Sequence, residues 1–99
     1  MQTYVIRRRN AWKTPQELEA TAARSRQIGD QDMSEKVRWI RSYVVKEVDG
    51  TLGTVCIYQA VSPDALQDHA SRVGMPADEI TSIEATVVVR DDPDETRAA

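Results

Sequence analysis

His69 is the chain's single histidine and Cys56 its single cysteine. No GxGxxG, Walker loop, HExxH or paired CxxC occurs, so the candidates for chemistry are isolated residues. His69 falls three residues after Leu66 and one before Ala70, inside the apolar stripe of a predicted helix. An imidazole there could act as general base, proton shuttle or metal ligand. The plainer reading is a core or interface histidine satisfied by one hydrogen bond. A three- or four-ligand metal site needs more than this histidine. Cys56, carboxylates from elsewhere or a second subunit's His69 would have to complete it. Asp68 is adjacent in sequence but points elsewhere on the helix. Cys56 sits between Val55 and Ile57, where a lone cysteine reads as a small buried hydrophobe. A nucleophilic role needs a base nearby and some exposure.

The aromatics and arginines offer binding chemistry. Trp39, Tyr43 and Tyr58 are suited to line a small-ligand pocket, because an aromatic wall with a polar handle fits apolar ligands. Their alternative is ordinary core or dimer packing. Arg7, Arg8 and Arg9 form the one basic run. On a strand Arg7 and Arg9 share a face and Arg8 opposes them. Arg7, if buried, would pair with an acid or bind an anionic ligand; otherwise the run is a solvated strand end. It lacks the breadth and aromatic interleaving of a nucleic-acid groove.

These residues need elements to position them. Residues 3–8 are β-branched and aromatic and predict a first strand. Thr14-Pro15-Gln16-Glu17 combines a cap, a first-turn proline and a capping-box glutamate. The helix it opens has a weak stripe of Leu18, Ala22 and Ile28, with Gly29 as its expected stop. Val37, Trp39, Tyr43 and Val45 alternate through a second strand over 36–48. Asp49-Gly50 predicts the turn into a third strand over 52–60. Ser62-Pro63-Asp64 opens a second helix that Gly74 ends. A fourth strand is expected over 80–90. The order β-α-β-β-α-β is the ferredoxin-like pattern, an α+β fold with a four-stranded antiparallel sheet and two helices on one face. Residues 1–90 read as a single domain and 91–99 as a flexible acidic tail.

Neither face of that sheet reads as polar, although a one-sided sheet should alternate between apolar and polar. A large open apolar face meets a partner. The expectation is a homodimer joined through the open sheet face, in an assembly of the dimeric α/β-barrel type.

Charge narrows the partners. The chain has 99 residues, with 13 Lys and Arg against 16 Asp and Glu. The excess acidity lies in Asp91, Asp92, Asp94 and Glu95, set against Arg97. The body is therefore neutral, which suits self-association. No concentrated basic surface supports a nucleic-acid partner, and no apolar run reaches the roughly 18 residues of a membrane span. The basic run is followed by polar residues and does not read as a signal peptide. One cysteine cannot form an internal disulfide, and a cytoplasmic location is the simple expectation.

Several stretches together resemble a known family. They are Tyr4-Val5-Ile6-Arg7-Arg8, residues 39–44 from Trp39 to Val44, residues 55–60 from Val55 to Ala60, Pro63-Asp64, His69-Ala70 and residues 74–80 from Gly74 to Ile80. In this order they resemble the small bacterial domain family DUF4242, which includes an actinobacterial nickel-binding protein. The resemblance covers nearly all of the chain except the tail. It implies a ferredoxin-like fold related to dimeric α/β barrels. It also implies His69, Cys56, Tyr43 and Tyr58 as candidates for a shared site, and nickel or another divalent transition metal as a cofactor. Three functions follow as expectations. The first is a dimeric domain binding a small ligand or a transition metal. The second is a cofactor-independent isomerase, cyclase or monooxygenase with His69 as base and Tyr43 or Tyr58 orienting the substrate. The third is a structural or interaction module docking through the sheet.

Overall fold

The computed structural model describes residues 1–93. Strand β1 runs Gln2–Trp12, helix α1 Pro15–Gln27, β2 Val37–Lys46, β3 Leu52–Ala60, α2 Pro63–Val73 and β4 Glu79–Ser82. The strands form one antiparallel sheet in the order β2-β3-β1-β4. This is the ferredoxin-like α+β arrangement expected from the sequence. Among the described residues no helix is long and apolar enough to cross a membrane.

The helix starts follow the local chemistry. Thr14 Oγ1 accepts from the Glu17 amide, and Glu17 reaches back to the Lys13 amide at 2.7 Å. Ser62 Oγ accepts from the Ala65 amide. Gly74 ends α2 with φ at 86°, a left-handed conformation that glycine adopts at little cost. Gly29 does not end its helix: α1 continues into a π-helical turn, Ile28–Asp32. The buried stripe of α1 and this turn is Thr21, Ser25 and Gly29, small residues four apart. Helix α2 buries Ala65, Leu66, His69, Ala70 and Val73. Between the helices and the sheet lie Tyr4, Ile6, Met33, Val37, Cys56 and Tyr58.

Two irregularities decide which side chains share a face. The pairing of β2 with β3 shifts between Trp39 and Arg41, leaving Ile40 as the extra residue of a bulge. Before the bulge Trp39 pairs with Tyr58 and faces the helices; beyond it Tyr43 pairs with Val55 on the open face. Simple alternation placed Trp39 and Tyr43 together, and the bulge separates them. In β1, Asn10 takes φ at 51°, and the register shifts between Arg8 and Trp12. Both of those residues are buried.

The fourth strand is four residues long rather than eleven. The Ile83 amide still reaches the Thr3 carbonyl, but β1 begins at Gln2, so the chain beyond Ile83 outruns its partner. It turns instead across the open face to the far strand, where Asp92 accepts from the Tyr43 hydroxyl and lies 3.5 Å from Arg41. Asp92 belongs to the expected tail over 91–99, and residues 94–99 lie outside the described residues.

Candidate functional site

A polar cluster sits between the helices and the sheet. Arg8 comes from β1, on the face of Tyr4 and Ile6, and is 1% exposed. Its Nη1 donates to the carbonyl of Pro76 in the loop after α2, while its Nη2 has no hydrogen-bond partner among the described residues. Its guanidinium carbon lies 5.9 Å from the centre of the Tyr58 ring, within cation–π range. Tyr58, from β3, stacks on Trp39 with ring centres 6.1 Å apart and planes 5° apart. The Tyr58 hydroxyl shares a 3.2 Å hydrogen bond with Ser25 Oγ of α1.

His69 closes the cluster from α2. Its ring centre lies 5.7 Å from that of Tyr58. Its Nε2 donates to the Ser25 carbonyl at 3.1 Å, and its buried Nδ1 has no hydrogen-bond partner among the described residues. Burial lowers the His69 pKa first of all, and the positive charge of Arg8 lowers it further, against the Ser25 carbonyl, which favours the charged ring. The Tyr58 hydroxyl is pushed up by burial, with Ser25 and Arg8 opposing. Both groups are therefore neutral near pH 7. Cys56 lies on the same face, buried, with its thiol donating to Thr54 Oγ1 at 3.2 Å.

The other two candidates from the sequence lie on the opposite face. Tyr43 is exposed beside Asp92. Arg7 pairs with Glu47 at 2.7 Å and donates to the carbonyls of Arg8 and Thr54. Arg7 thus ties the end of the β2–β3 hairpin to β1. The structure brings His69, Tyr58 and Cys56 onto one face and excludes Arg7 and Tyr43 from it. Two members of the cluster, Arg8 and Ser25, are not among the site candidates named from the sequence. Arg8 was findable from its parity with Tyr4 and Ile6, and Ser25 from the spacing Thr21-Ser25-Gly29.

Across the sheet, a groove of about 540 Å³ lies between the open face and the returning segment, lined by Ile40, Tyr43, Ile57, Val87 and Asp92 among others. His69 does not line it, since that ring lies between the helices and the other face of the sheet.

The comparisons with known proteins address the family. The nickel responsive proteins described as SCO4226-like match residues 4–83. The chain belongs to the SCO4226-like family. The match agrees with the resemblance to a small family containing a nickel-binding protein. No curated protein matches the sequence. The crystal structure of SCO4226 from Streptomyces coelicolor A3(2) superposes with a TM-score of 0.68 at 17% identity, covering 86% of this chain and 99% of that one. At that identity the likeness concerns the fold.

The family name raises nickel, and the donor set at His69 decides against it here. Nickel takes imidazole, thiolate or carboxylate ligands. The other charged side chain packed on the Tyr58 ring, Arg8, carries a guanidinium, cationic and without a lone pair to give. Among the described residues no three His, Cys, Asp or Glu side chains group so as to hold a metal ion. A second subunit docked on the open face does not bring its own His69 near, since that ring lies beneath the helices at 1% exposure. In this member of the SCO4226-like family, the residues around His69 do not fit a resident nickel ion.

Proposed function

We propose that this chain is a homodimeric cytoplasmic binding domain whose ligand site is the Arg8–Tyr58–His69 cluster. The observation that carries this reading is a pair of buried nitrogens, Arg8 Nη2 and His69 Nδ1, with no hydrogen-bond partner among the described residues. Buried polar groups are almost always hydrogen-bonded, because an unmet one costs about 1–3 kcal/mol. Two such atoms around one tyrosine ring suit a site completed by a small molecule. The covering loop is short. Pro76, which takes the Arg8 hydrogen bond, is itself exposed, so the guanidinium lies one residue beneath the surface.

The dimer reading rests on the other face. Val87, Val88 and Val89 are between 71% and 87% exposed, β-branched, and in no strand among the described residues. A second copy supplies both the partner backbone and the apolar cover. Native mass spectrometry with metal analysis, on protein purified from its own host, tests both halves. The expected result is twice the chain mass, a retained small molecule and no stoichiometric nickel. A bare chain mass overturns the reading.

One observation favours a second reading. The neutral His69 ring keeps a bare lone pair at Nδ1, and its centre lies 5.7 Å from that of the Tyr58 ring, which is the equipment of a general base. In that case Tyr58, and not Tyr43, orients the substrate. Conversion of the retained molecule by the purified protein, lost in His69→Phe, distinguishes this enzyme from a binding domain.

A further inference from the structure

Arg8 is the one buried cation among the described residues. Arg7, Arg9, Arg41 and Arg72 each pair with a carboxylate, and all four are more exposed than Arg8. Arg8, almost wholly buried, has the Pro76 carbonyl and the face of Tyr58 but no carboxylate among the described residues. A buried charge without a counter-charge is costly, and a neutral carbonyl compensates it only in part.

The hydrogen-bonding capacity left over is asymmetric. Arg8 Nη2 can only donate. The Ser25 carbonyl can only accept, so His69 Nε2 carries the ring proton and Nδ1 is left as an acceptor. The site therefore asks for an acceptor at Arg8, a donor at His69 and one negative charge. A fully deprotonated anion meets the first and third conditions and fails the second. A water molecule meets the first two and fails the third.

Resting on the ligand-site reading above, we infer that Arg8 and His69 together hold a small oxyanion that bears an O–H group. An anionic oxygen accepts from Arg8 Nη2, and the hydroxyl donates to His69 Nδ1. Hydrogen phosphate and 2-hydroxycarboxylates share this chemistry.

The test uses matched pairs of anions at constant ionic strength near pH 7. Inorganic phosphate is set against sulfate, which has no O–H, and glycolate against acetate. The chain has one histidine, so the imidazole nitrogen signals in NMR belong to His69 alone. Phosphate or glycolate is expected to shift the Nδ1 signal and to bind about tenfold more tightly than its O–H-free counterpart, the value of one good hydrogen bond. Which of the two pairs responds identifies the source. Arg8→Met is expected to abolish binding, and His69→Phe to bring the preferred anion down to its counterpart's affinity. Equal binding within each pair overturns the inference, and so does binding that survives in Arg8→Met. A retained neutral molecule with four silent titrations overturns the oxyanion and leaves the ligand site standing. A bare protein with four silent titrations overturns both. The wild-type titrations decide the matter even if a variant fails to fold.

Discussion

Ser25 and His69 are joined across 44 residues by the bond from the ring Nε2 to the serine carbonyl, and the same serine's hydroxyl meets Tyr58. One small residue on α1 thus holds a side chain from α2 and another from β3. The helix packs here through polar atoms, where an amphipathic helix usually offers an apolar stripe. Ser25→Ala keeps the carbonyl bond and removes the hydroxyl, leaving Tyr58 unmet in the interior. Urea unfolding is expected to show a loss of about 1–2 kcal/mol. Tyr58→Phe should cost a similar amount, and the double variant less than the two together, because both remove one bond. Additive losses would mean that the bond contributes nothing.

Acid should weaken the fold through His69. Its folded pKa lies below the ordinary 6.5, chiefly from burial, with Arg8 acting in the same sense and the Ser25 carbonyl and Asp68 against it. The unfolded chain binds the proton first as pH falls. Stability is therefore level above about pH 6.5 and declines below it, until the folded pKa is reached. The urea midpoint measured between about pH 8 and pH 5 checks this. His69→Phe should flatten the decline. Glu47, whose pKa is held down mainly by Arg7 and also by the Asn10 amide, contributes a separate loss at lower pH, as its carboxylate is protonated.

The neighbouring arginines should respond oppositely to the same substitution. Arg8→Met removes a buried charge that no carboxylate balances and leaves an apolar stem of similar length. It is expected to be neutral or stabilising, by up to about 2 kcal/mol. Arg7→Met strands Glu47, whose other oxygen accepts from the Asn10 amide, and should cost about 1–2 kcal/mol. Thermal unfolding of the two variants side by side gives the signs. A large loss in Arg8→Met would show that its role is structural.

The sequence was most legible where local chemistry sets the structure. Both helix starts, the Asp49-Gly50 turn, the Gly74 stop and the antiparallel topology follow from caps, turns and apolar spacing. The site was half legible. Tyr58 and Cys56 lie on a strand whose alternation is regular, and His69 on a helix whose apolar stripe is regular. Tyr43, grouped with Trp39 by simple alternation, falls on the other face because the Ile40 bulge reverses that alternation, and nothing in the residue types marks it. Arg8 was missed because a charge inside a strand reads as solvent-facing until its neighbours are counted by parity. The length of β4 was not legible at all, since it is set by where β1 begins.

Gly53 reports on the Arg7–Glu47 pair. A Cβ there would overlap Glu47 Oε2, lie 2.5 Å from the Arg8 carbonyl oxygen and 2.8 Å from Arg7 Nη1. The carbonyl belongs to the sheet and cannot give way. Gly53→Ala should therefore destabilise by about 1–3 kcal/mol through overpacking. Its combination with Glu47→Ala should cost less than the sum, since one of the three contacts is relieved. A Gly53→Ala variant as stable as the parent in urea would show that the hairpin is free to move away from β1.

The returning segment offers the clearest test of assembly. Val88 is 71% exposed and lies in a run of three valines beyond the end of β4. Among the described residues this run belongs to no strand, and the chain goes on from it to Asp92 beside Tyr43. A charge placed there should leave the interior of the protomer untouched, since the Arg8–Tyr58–His69 cluster lies on the other side of the sheet. Val88→Glu is expected to turn a dimer into a monomer in analytical ultracentrifugation at micromolar concentration. The desolvation of one carboxylate in each copy opposes association. Its thermal unfolding should then become independent of protein concentration, as that of a monomer is. A wild-type chain that is already monomeric at that concentration would remove the dimer and leave the valines as bare surface.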